Sequence, residues 1–73
     1  SWAFKLESQG RISQTWCIKD MMIDVVGDVD VRGIDLIFPF GVVTGEFICD
    51  AAQKKSPNYP KHIAHIRSDN LIN

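Results

Sequence analysis

The feature that most constrains this chain is a break in alternation at Gly33. Before it, Asp28, Asp30 and Arg32 alternate with Val29 and Val31; after it, Ile34, Leu36 and Phe38 occupy the parity that the charges held. A strand sends successive side chains to opposite faces, so the chain must either turn at Gly33 or reset its register there with a bulge.

Alternation recurs along most of the chain. Trp2, Phe4 and Leu6 alternate with Ala3, Lys5 and Glu7, which predicts a half-buried strand over 2–7. Ser8-Gln9-Gly10 is a turn, and the stretch from Arg11 to about Lys19 is expected to return as its hairpin partner. Residues 21–26 read as a strand because Ile23, Val25 and Val26 are β-branched and Gly27 ends the run; a helix over 18–26 is the competing reading. Pro39 lacks a backbone donor and closes the Ile34–Phe38 strand. Residues 42–49 form the last clear strand.

Beyond Asp50 the pattern changes. Residues 51–55 suit one helical turn, and Pro57 and Pro60 interrupt any ladder or helix between them. Pro60 suits the first turn of a short helix reaching about Ser68, with Ile63 and Ile66 on one face. The expectation is therefore a single, mainly β domain over residues 1–73: a small antiparallel meander or barrel of about five strands with a short C-terminal helix. Trp2, Phe4, Leu6, Trp16, Ile18, Ile34, Leu36, Phe38, Val43 and Phe47 are its expected core.

Charge divides the chain in two. Residues 1–50 hold four basic and eight acidic side chains, a net of −4, whereas residues 51–73 hold four basic and one acidic, a net of +3. An acidic β body thus leads into a basic tail that carries both histidines. No apolar run approaches membrane-spanning length, so a soluble chain with no membrane partner is expected. Beginning at Ser1 without Met, the chain reads as a processed product or a piece of a longer one, with no signal peptide in view.

Cys17 and Cys49 are too few for a disulfide scaffold and lack zinc-site spacing. Parity sends Cys49 inward with Val43 and Phe47 and Cys17 to the face opposite Trp16 and Ile18. Two reduced thiols and a cytoplasmic location follow as expectations.

No short motif brings an acid, a base and a nucleophile together, so no catalytic residue, cofactor or metal site is assigned and the chain is expected not to be an enzyme. Asp24, Asp28, Asp30 and Asp35 match no calcium loop and read as solvated strand and turn carboxylates. His62 and His65, one turn apart on the expected helix, lack a third ligand.

Two binding readings remain. Met22, Val26, Ile37, Val42 and Ile48 leave the supposed outer face too apolar, which points to an interaction module that self-associates through that face, most simply as a dimer. A chain of 73 residues buries only about 60 to 65% of its unfolded surface, so it has much to gain from a partner. The alternative is a nucleic-acid-binding small barrel, with Lys54, Lys55, Lys61 and Arg67 on the phosphates and Tyr59 stacked on a base. The same cations would equally neutralise the acidic body.

Overall fold

A computed structural model describes residues 1–66. The chain opens with a helix, α1 (Trp2–Ser8), where alternation predicted a strand. The reason is local: Ser1 caps the helix by accepting the Phe4 N–H at 3.3 Å, and none of the seven helical residues is β-branched. Ala3 and Leu6, three apart, form the buried stripe, and Phe4 is left exposed. The helix ends in a Schellman motif. Gly10, at φ 73°, donates to the Glu7 carbonyl, and the Arg11 N–H donates to that of Leu6.

Strands β1 (Trp16–Lys19) and β2 (Met22–Val25) form an antiparallel hairpin, so residues 22–25 are a strand and not part of a helix. Asp20 and Met21 form its two-residue loop, with φ of 52° and 63° as a type I′ turn requires. Gly27, at φ 125°, then kinks the chain into the short β3 (Val29–Asp30).

The parity break at Gly33 is a turn. Ile34 N–H closes on the Val31 carbonyl, and Gly33 takes φ 77° between them. Residues 34–38 form no strand; they cross over the sheet to deliver β4 (Phe40–Ile48) parallel to β2 and β3.

β4 is the axis of the sheet. Its first half pairs in parallel with β2, its end pairs in parallel with β3, and its other margin pairs in parallel with β5 (His62–Ile66). β2, Gly27 and β3 therefore act as one broken strand along one side of β4, with β1 outside β2. The sheet is five-stranded, mixed and open. It is neither an antiparallel meander nor a closed barrel, and residues 62–66 are a strand where a C-terminal helix was expected. Parallel pairing explains the difference: β5 lies beside a strand already buried, so Ile63 faces inward opposite Val43 without a helical stripe.

One cluster fills the space between α1, the crossover and one face of the sheet, and includes Leu6, Ile23, Val29, Phe40, Val43 and Phe47. A chain of edge-to-face aromatic contacts crosses it: Trp2 on Phe40 at 5.9 Å, Phe40 on Phe47 at 5.5 Å, and Phe47 on Tyr59 at 5.4 Å. A short 3-10 helix (Ala51–Lys55) contributes the buried Gln53. Its amide donates to the carbonyls of Val31 and Ile34, its oxygen accepts the Asp50 N–H, and Asp50 in turn accepts the Gly33 N–H at 2.7 Å. The glycine turn and the end of β4 are thereby locked together with every polar atom of Gln53 satisfied.

Candidate interaction surface

The acidic side chains have structural work. Asp24 Oδ1 accepts the Val42 N–H and Asp28 Oδ1 accepts the Glu46 N–H, each at 2.8 Å. Both carboxylates lean over a glycine: a Cβ on Gly41 would strike Asp24, and one on Gly45 would strike Asp28 and the Gly27 backbone. Gly27 adds two bonds of 2.9 Å, donating to Thr44 Oγ1 and accepting from the Gly45 N–H. These contacts hold the broken strand to β4. Among the described residues, no group of three His, Cys, Asp or Glu is placed to hold a metal ion.

A cleft lined by Gln9, Gly10, Arg11, Asp30, Arg32 and Ile34 has two guanidinium groups, yet both serve the fold. Arg11 Nη1 donates to the carbonyls of Asp30 and Arg32, each at 3.1 Å. Arg32 forms a two-pronged pair with Asp30 at 3.0 and 2.8 Å, and that hydrogen bond holds the Asp30 carboxyl below its ordinary range.

Lys55 and Lys61 are exposed and Lys54 is half-buried, but the Tyr59 ring packs edge-to-face on Phe47, where burial raises the phenol pKa. That ring is half-buried, packed against the core cluster. Arg67 lies outside the described residues. His62 sits on β5, so the helical spacing that paired it with His65 is absent.

The apolar residues predicted on the outer face separate. Ile48 is only 8% exposed, Met22 is half-buried, and Val26, Ile37 and Val42 are exposed. Val43, Phe47 and Cys49 keep one parity and join the core cluster, whereas Ile48, buried without joining it, keeps the parity of Val42. Sequence reasoning placed Ile18 in the core and passed over Met21; they are 50% and 77% exposed. The missed signal is position in the sheet, since β1 is an edge and, among the described residues, no further strand pairs with it beyond Ile18.

The β1–β2 hairpin is thus the most apolar exposed part of the sheet, with Ile18, Met21 and Val26 within nine residues. On the side of α1 an apolar cleft opens beside Ile18, lined by Trp2, Ala3, Ile23 and Phe38. On the other side a shallow depression runs along Gln14, Thr15, Cys17, Asp24 and Val26. Cys17 is exposed, whereas Cys49 is buried, and no disulfide joins them.

No family model, curated protein or solved structure matches this chain. Its function has to be argued from this surface. No helix among the described residues is long and apolar enough to cross a membrane.

Proposed function

We propose that the chain is a non-catalytic interaction module that self-associates, most simply as a dimer, through apolar side chains of its β1–β2 hairpin. The observation that carries this reading is the exposure there of Ile18, Met21 and Val26, by 50, 77 and 59%, with Ile18 on the α1 side of the hairpin, Val26 on the other and Met21 in its loop. Val42 and the half-buried Met22 border it on the outer face of the sheet.

Magnitudes make the association weak. Fully burying one such side chain stabilises by about 1.5 to 3 kcal/mol, and these three are already partly covered. Burial from two copies, set against an association cost of about 4 to 15 kcal/mol, leaves a dissociation constant in roughly the micromolar to millimolar range. Light scattering over a concentration series tests the reading. The weight-average mass is expected to climb above the 8.2 kDa monomer as concentration rises. A mass fixed at the monomer value up to millimolar concentration overturns it.

A further inference from the structure

We infer that two copies join edge to edge, β1 against β1 in antiparallel register about a two-fold axis at Cys17, extending one sheet into the other. This rests on the self-association reading and specifies the surface and register it uses.

The hairpin geometry determines which backbone groups are on offer. With a two-residue loop, Lys19 and Met22 form a hydrogen-bonded pair, as do Cys17 and Asp24 two residues on. The Val26 N–H, donating to the Thr15 carbonyl at 2.8 Å, continues the same set. The N–H and C=O groups of Trp16 and Ile18 therefore point away from β2, along the margin of the sheet. That margin carries no proline, no inward-pointing charge and no bulge within Trp16–Lys19; its protection is its four-residue length and the single exposed Lys19 at its end.

Self-pairing has few registers, because outward-pointing residues must oppose each other. Placing Trp16 opposite the partner's Trp16 sets Ile18 against Gln14, which wastes the apolar side chain. Placing Ile18 opposite the partner's Ile18 sets Trp16 against Asp20, a loop residue with φ 52° that cannot continue a ladder. Only Trp16 opposite the partner's Ile18 satisfies both strands. It yields four backbone hydrogen bonds and two aromatic–aliphatic cross-strand pairs. The rows on the side of α1 then read Val25, Trp16, the partner's Ile18 and the partner's Ile23, apolar throughout, beside the cleft that opens at Ile18.

The same register places Cys17 opposite its own copy at a non-hydrogen-bonded position, where Cα atoms lie about 4.5 Å apart, within reach of a disulfide. That makes an exposed thiol the reporter of the axis. The full chain is treated with diamide at concentrations where its mass exceeds the monomer. Two Cys17 thiols lose two protons and two electrons to diamide, which becomes the hydrazine, and one S–S bond forms. The expected result is a covalent dimer linked through Cys17, formed as readily in Cys49→Ser. A cysteine placed instead at Asp35, in a Cys17→Ser chain, is expected to cross-link at least about tenfold more slowly.

Ile18→Pro removes an outward N–H that β2 does not use, and Ile18→Lys places a charge in the junction; circular dichroism shows which variants stay folded. Either folded variant should lower the mass to the monomer and slow Cys17 cross-linking by about tenfold or more. A chain monomeric at every concentration defeats the self-association reading itself. A chain that associates, yet whose Cys17 links no faster than the Asp35→Cys control and whose mass ignores Ile18→Lys, leaves that reading standing and overturns the β1 register.

Discussion

Asp28 reaches across the seam between β3 and β4 to accept the Glu46 N–H at 2.8 Å, leaning over Gly45 as Asp24 leans over Gly41 four residues earlier. The two carboxylates replace ladder bonds where the chain kinks at Gly27. Alanine at Asp24 or Asp28 should cost about 1 to 2 kcal/mol in urea unfolding, the low side of a bond to a charged acceptor because neither carboxylate is buried.

The two glycines under those carboxylates should respond differently to alanine. At Gly41 the new methyl meets mainly the Asp24 side chain, which can rotate away and forfeit its bond, a loss of about 1 kcal/mol. At Gly45 it meets the backbone of Gly27, which cannot swing aside, so the loss should exceed about 2 kcal/mol. Adding Asp24→Ala should cost almost nothing more in a Gly41→Ala chain. Full additivity in that double-mutant cycle would refute the contact.

Met21 holds φ 63° in the hairpin loop, a conformation glycine adopts without strain. Met21→Gly should raise the unfolding free energy by about 0.5 to 1 kcal/mol, giving the Asp-Gly sequence that type I′ turns favour. A lower thermal midpoint would contradict this.

Two phenylalanines that sequence alternation treats alike should part company. Phe47 is fully buried between Phe40 and Tyr59, so Phe47→Ala should cost about 3 to 5 kcal/mol and bring a small domain close to unfolding. Phe4 is 61% exposed on α1, and Phe4→Ala should change stability by less than about 0.5 kcal/mol.

Burial raises the pKa of the Cys49 thiol and of the Tyr59 phenol above their ordinary values of 9.0 and 10.0. A group whose folded pKa lies above its unfolded one contributes stability below the unfolded value and loses it as pH rises. The denaturant midpoint should therefore hold near neutrality and fall above about pH 9. Asp30 acts in the opposite direction: Arg32 lowers its pKa, so its contribution is present above the ordinary 3.8 and fades as acid protonates it. The same burial orders the thiols, and a reagent should label Cys17 in the folded chain and Cys49 only after unfolding. Equal labelling rates would sink that ordering.

Local chemistry was enough for several of these features. The strand over 22–25 and the inward Cys49 follow from a β-branched run and from parity, which act over a few residues, whereas the alternation break at Gly33 left a turn and a bulge both open. Residues 2–8 escaped because alternating aromatics also fit a helix whose buried stripe is Ala3 and Leu6, and only the Ser1 cap and the packing of Leu6 decide between the two. Whether β4 would run parallel or antiparallel to its neighbours was not written in any local pattern. It depends on the path of residues 34–38 and on the buried amide of Gln53, 22 and 19 residues from the carbonyls of Val31 and Ile34 that it binds. The exposed edge at β1 is likewise a property of sheet order, since Ile18 has the pattern of a core residue and lacks only a neighbour. Sequence alone determined that alternation breaks at Gly33 and that residues 22–25 and most of 40–48 favour strand, because those are short-range steric effects. Which strands met, and which apolar faces stayed uncovered, was decided by long-range packing that no window of sequence contains.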